Sequence, residues 1–131
     1  MSDCCGTKDV MLLACSGGSN VGQISNDAAK ALDQLGAGRM YCLIGVGAQL
    51  PSFVDAAKSA QVVVAIDGCN VACAKKALEN AGITPQVYTV VTDLGIEKGH
   101  HFNYTREEVA KVAGAAAEAL SAPKGKCGCG S

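Results

Sequence analysis

The sequence predicts an α/β protein: a three-layer sandwich with a four-stranded, mainly parallel sheet and helices on both faces, Rossmann-like in arrangement. Three observations predict it. Four short apolar runs alternate with four stretches of helical periodicity. Those runs are apolar at consecutive positions, as strands buried on both faces are. Hydrophobic residues make up 49% of the chain but aromatics only 4%, and tryptophan is absent. Val, Ile, Leu and Ala must then fill the core, which suits slim helices laid on a sheet. At 131 residues the chain is expected to form one domain with a substantial core.

The first strand is expected over Val10 to Ala14. Ser19 or Asn20 can cap the helix that follows, whose apolar stripe is Ile24, Ala28, Ala31, Leu32 and Leu35 and whose stop is Gly36. A second strand runs from about Met40 to Ile44 and ends in a Gly45-Val46-Gly47 turn. A short helix then starts near Pro51, with Phe53, Val54 and Ala57 on one face. Gln61 to Ile66 reads as the third strand, followed by Asp67-Gly68 and a helix with the stripe Val71, Ala74, Leu78 and Ala81 that stops at Gly82. Val87 to Val91 is the fourth strand, and Thr92 to Asn103 a longer loop. Thr105 and Glu108 have capping-box spacing ahead of a last helix bearing Val109, Val112, Ala113, Ala116 and Leu120. This places a single domain over 10–120 between flexible cysteine-containing tails, 1–9 with Cys4-Cys5 and 121–131 with Cys127-Gly128-Cys129.

Composition narrows the function classes. A formal net charge of −1 gives no electrostatic footprint for nucleic acid or an anionic membrane. No run approaches transmembrane length. Leu12-Leu13-Ala14-Cys15 has the look of a lipoprotein cleavage box, but acidic Asp3 and Asp9 precede it and its apolar segment is short, so no signal peptide is expected. Eight cysteines in 131 residues, about 6%, fall below a disulfide scaffold. The thiols are therefore expected to be reduced, cytoplasmic, and metal-binding or catalytic. Nothing in the sequence identifies a protein partner, a homodimer interface or a substrate.

The chemistry concentrates in Asp67-Gly68-Cys69-Asn70-Val71-Ala72-Cys73. Two cysteines four residues apart at a helix start are expected on one face, one turn apart. Unpaired backbone N–H groups and the helix dipole there favour a thiolate. Ligands of parallel sheets bind beyond the carboxyl ends of the strands, where Cys15, Cys69 and Asp93 fall. Cys42 lies within its expected strand and must point toward the site to join it. Cys15, Cys42 and Cys69 recur every 27 residues, which reflects the length of one βα unit and not a repeat. Four thiolates can satisfy tetrahedral zinc at Zn–S distances near ~2.3 Å. Cys69 and Cys73 offer a pair, Cys15 a third ligand and Cys42 a fourth. Buried free cysteines also fill cores, a reading that weighs most on Cys42.

The triplet Asp67-Gly68-Cys69, Cys73, the loop Cys15-Ser16-Gly17-Gly18-Ser19-Asn20 and Cys42 resemble the DGC-motif family of prokaryotic proteins. That family is named for its central Asp-Gly-Cys. The resemblance implies zinc binding through four cysteines, matched by motif to Cys15, Cys42, Cys69 and Cys73. It covers roughly Val10 to Leu120 and leaves the tail cysteines outside the pattern.

Two other readings compete. The loop after the first strand also resembles the anion cradle of low-molecular-weight phosphatases and arsenate reductases, with Cys15 as nucleophile. Val21 stands where that pattern has its arginine, so phosphate transition-state charge lacks its bidentate partner. The remaining reading is thiol redox or persulfide sulfur transfer by Cys69, Cys73 and Cys15, although the usual prolines of a thioredoxin motif are missing. Among accessory residues, Asp67 reads as a turn and cap residue before a ligand. Asp93 can orient a ligand or cap a loop, His100 and His101 can be ligands, proton carriers or solvated loop residues, and Cys127 and Cys129 can help load a metal. Lys98 could lend charge to a thiolate, but nothing in the sequence places it. The expected function is binding of a thiophilic metal ion, Zn2+ first with Cu(I) or an iron–sulfur cluster as alternatives, as a carrier or sensor.

Overall fold

A computed structural model describes residues 9–121. Its elements are β1 (Val10–Ala14), α1 (Asn20–Gln34), β2 (Arg39–Met40), α2 (Leu43–Gly47), α3 (Pro51–Ser59), β3 (Val62–Asp67), α4 (Cys73–Asn80), β4 (Val87–Val90), a 3₁₀ turn (Val91–Leu94) and α5 (Arg106–Leu120). The four strands form one sheet in the order β2-β1-β3-β4, with every neighbouring pair parallel.

Pleating sends alternate side chains of each strand to opposite faces, and both faces here are covered. Leu12, Ala14, Val64 and Ile66 pack with Ile24, Ala28 and Leu32 of α1 and with Val112 and Ala116 of α5. Leu13, Val63 and Ala65 face the other way, against Val46 of α2, Ala57 of α3 and Leu78 of α4. Alanines on the facing sides of α1 and α5 substitute closeness for bulk, which is how a core almost free of aromatics reaches density. Each fully buried Leu or Ile contributes about 1.5–3 kcal/mol relative to exposure. The last helix begins as its spacing predicts: Thr105 Oγ1 accepts from Glu108 N at 3.1 Å and Glu108 Oε1 accepts from Thr105 N at 3.0 Å.

Three expectations need correction. β2 is two residues long and ends at Met40, not Ile44. The chain makes one more sheet bond, Tyr41 N to Leu12 O at 2.9 Å, then turns into α2, so Cys42 is the N-cap of a helix and not a strand residue. Gly45-Val46-Gly47 is helical instead of a turn. Glycine in a helix costs about 1 kcal/mol against alanine, but Val46 is fully buried there, and a Cβ at residue 45 would collide with the Phe53 ring. The Phe53 ring also meets Tyr41 at 5.4 Å between centroids. Finally, the apolar stripes of α1 and α4 are shorter than expected. Leu35 is 79% exposed and Val71 50% exposed, because both lie just outside the helices they were assigned to.

Among the described residues no helix is long and apolar enough to cross a membrane. The expected tail cysteines Cys4, Cys5, Cys127 and Cys129 lie outside the described residues.

Candidate functional site

The carboxyl ends of β1, β3 and β4 feed three loops that converge at one edge of the sheet. The first leaves Ala14 through Cys15, whose N–H extends the ladder to Ile66 O at 2.9 Å. It enters α1 at Ser19, whose hydroxyl caps Gly22 N at 3.1 Å. The second is Gly68 to Ala72. These two loops touch through glycines. A Cβ on Gly68 would stand 2.8 Å from Gly22 N, and one on Gly22 would stand 2.7 Å from Gly17 N. The central glycine of Asp-Gly-Cys is thus required by close backbone approach to the start of α1.

Asp67 is 1% exposed and fully engaged. Its Oδ1 accepts from Ala74 N at 2.8 Å, and its Oδ2 accepts from Lys75 N at 3.0 Å and from the Tyr88 hydroxyl at 2.8 Å. It caps α4 from the strand end, and Ala72 in the formal cap position adopts a left-handed backbone, φ 60°, with no side-chain bond of its own. Of the two roles read for Asp67, the structure has the cap. Burial, and next the bond to Asp67, push the Tyr88 phenol well above its ordinary range.

The same cap corrects the placement of the cysteine pair. The helix begins at Cys73, so Cys69 sits in the preceding turn and not one helical turn below Cys73. Both still line one cleft of about 220 Å³, together with Cys15, Lys98 and the backbone of Gly17 and Gly68. Cys15 is half-buried. Desolvation raises its thiol above the ordinary value, outweighing the backbone amides of Gly17 and Gly68 that hydrogen-bond it and favour the thiolate.

Cys42 is not in that cleft. It lines a neighbouring groove of about 630 Å³ with Met40, Tyr41 and Ile44, and Cys73 borders both spaces. The four expected ligands are therefore split three and one. Among the described residues, no three Cys, His, Asp or Glu side chains are grouped to hold a metal ion. Asp93 and His100 are exposed and line neither space. Val21, at the position where an oxyanion enzyme of the resembling kind has arginine, is 1% exposed and packed in the core.

The residue that sequence reasoning left unplaced is Lys98. Its Nζ donates to Cys69 Sγ at 3.3 Å. It is carried there by a loop pinned to the start of α1. Asn20 Nδ2 donates to Glu97 O at 2.9 Å, Gly99 N donates to Asn20 Oδ1 at 2.7 Å, and Asn20 N donates to Gly99 O at 3.2 Å. His100 Nδ1 lies 3.3 Å from Gly18 O. Asn20 itself is 4% exposed. In the sequence it shows only as one of two candidate helix caps, and no local pattern ties it to residues 97–99.

A family model described as the DGC domain matches residues 11–116, a span that contains all four cysteines of the sheet edge and Lys98. The Anaerobic and virulence modulator AnvM of Pseudomonas aeruginosa is 36% identical over 88 residues, 67% of this chain and 67% of that protein. No solved structure matches the chain.

Proposed function

This chain belongs to the DGC domain family, and we propose that it binds a thiophilic metal ion, zinc first, at the carboxyl-edge cleft through Cys15, Cys69 and Cys73. The observation that carries this reading is that three thiols, one from the loop after β1, one from the turn after β3 and one from the first residue of α4, line one small cleft. Their donor chemistry fits soft or borderline ions, with Cu(I) and an iron–sulfur cluster as alternatives to zinc. Three protein ligands leave a fourth position open, as in zinc sites that keep a place for water or substrate.

The thiols are not grouped at metal-binding spacing among the described residues. Capture would therefore need the turn carrying Cys69 to adjust, and Lys98 to leave the Cys69 sulfur. A site that must rearrange suits a carrier or sensor better than a structural ion, and the core is held by two apolar clusters on either side of the sheet. A sensor role would also suit kinship to a protein named as a modulator. When bound, the ion would neutralise thiolate charge. Lys98 is the cation that otherwise stands beside Cys69.

The test is metal analysis of untagged protein, before and after Cys69→Ser. A stoichiometric ion that disappears in the variant supports the reading. Metal-free protein that readily forms a Cys69–Cys73 disulfide overturns it.

That second outcome corresponds to a second reading, thiol redox or sulfur transfer. It is favoured by one specific observation, the Lys98 ammonium 3.3 Å from the sulfur of Cys69, one of the two thiols that reading uses.

A further inference from the structure

We infer that Lys98 makes the cleft select anionic soft electrophiles over neutral ones, and that Asn20 is the positioning residue that holds Lys98 there. The inference deepens the proposed reading, since it rests on the cleft thiols being the groups that meet the ligand.

Lys98 is exposed, and a lysine side chain on a free loop would sample many rotamers. Here its backbone is fixed from both sides. Asn20 satisfies the carbonyl of the residue before Lys98 and both the N–H and the carbonyl of the residue after it. A buried amide with its donor and acceptor both used is a rigid support, because leaving either partner unpaired is costly. Both side-chain hydrogen bonds of Asn20 go to this loop.

The consequence is electrostatic. The ammonium stands 3.3 Å from the Cys69 sulfur, at a cleft whose other charged lining residue, Asp67, is already engaged by three donors. An approaching anion gains from Lys98, and a free divalent cation is opposed by it. The favoured cargo is then a soft electrophile with net negative charge, such as a metal already held as an anionic thiolate complex. Metal from such a complex would pass by ligand exchange: each cleft thiol forms a metal–sulfur bond as one thiolate of the incoming complex leaves, and its proton goes to that leaving thiolate, with no change in oxidation state.

The experiment compares alkylation of Cys69 in the metal-free full-length protein by iodoacetate, which is anionic, and iodoacetamide, which is neutral. Rates are read at one pH from the Cys69 peptide by mass spectrometry. The quantity is the iodoacetate-to-iodoacetamide rate ratio, which cancels general changes in exposure or thiol reactivity. Lys98→Ala should lower the ratio roughly two- to fivefold, the range expected for one partly screened charge a few ångströms away. Lys98→Arg should restore most of it. Asn20→Ala should lower it similarly, and should add nothing in the Lys98→Ala background.

An unchanged ratio in Lys98→Ala overturns the selection. A lowered ratio in Lys98→Ala with a normal ratio in folded Asn20→Ala overturns the role of Asn20. Because Lys98 is exposed, its variants keep the selection testable even if Asn20→Ala fails to fold; Asn20→Ser, which shortens the side chain without adding charge, then tests the latch, and a normal ratio in it overturns the role of Asn20. The assay uses no metal, so a negative metal analysis leaves its result standing, and the reverse also holds.

Discussion

The carboxylate of Asp67 accepts the backbone N–H of Ala74 at 2.8 Å, seven residues downstream, and so caps α4 from the end of a strand. This bond and its companion to Lys75 N fix where the helix begins, and with it the offset between Cys69 and Cys73. Asp67→Asn keeps the size but replaces one acceptor with a donor, which must face either Lys75 N or Ala74 N. A cost of about 1–3 kcal/mol is expected, read as a lower urea midpoint with unchanged slope.

Tyr88 supplies a pH signature for the same cluster. Its folded-state phenol is raised above the ordinary value of 10.0, by burial first and then by Asp67. A raised value means the native state holds its proton longer than the unfolded chain does. The stability it contributes is present in full below about pH 10 and declines as pH climbs above that toward the folded value. Denaturation midpoints should therefore fall at alkaline pH, and less steeply in Tyr88→Phe. Absorbance titration of the phenol in Asp67→Asn should show Tyr88 ionising closer to the ordinary range.

How much of this was legible follows from the range of each interaction. Strand β1 and the capping boundary of α5 were read correctly because each depends on residues close in sequence, the run Val10–Ala14 and the Thr105–Glu108 pair. Met40 to Ile44 was misread because a short apolar run fits a buried strand or a buried helical segment equally well. What decides it is distant: Phe53 packing on Gly45 and the burial of Val46. The expected helix takes in Cys69 and Val71, whereas α4 begins at Cys73, because its cap, Asp67, sits on the preceding strand rather than at the usual adjacent position. Lys98 reads from the sequence as a charge that could serve a thiolate, but nothing there places it. Its latch joins Asn20 to residues 77 and 79 positions away, and nothing local signals such a pairing.

The glycine contacts predict a contrast between two substitutions in the same neighbourhood. Gly68→Ala puts a Cβ 2.8 Å from Gly22 N and from the carbonyl carbon of Val21, backbone atoms that cannot swing aside. Relief requires the two loops to separate, at about 1–3 kcal/mol, and it should open the cleft and slow any process that needs Cys15 and Cys69 together. Gly18→Ala meets nothing within 4 Å and should change the melting temperature little. Parallel thermal melts of the two variants check the contrast, and equal effects would show that loop contact does not govern this edge.

The split of the cysteines makes a sharper prediction about metal. Cys15, Cys69 and Cys73 line the cleft, whereas Cys42 lines the adjoining groove. If the ion is held in the cleft, Cys42→Ser should retain it, and serine at any of the other three should release it or weaken binding by well over tenfold, since a lost thiolate removes a whole metal–ligand bond. Removing the ion with a thiol-competing chelator should leave the far-ultraviolet circular dichroism of the protein intact. The two apolar clusters that pack the sheet hold it without the thiols. Only the melting temperature should drop, by the amount that ligand linkage supplies. Chelation that unfolds the chain would instead make the ion structural, as in small zinc-dependent domains, and loss of metal in Cys42→Ser would mean that groove and cleft close around one ion together.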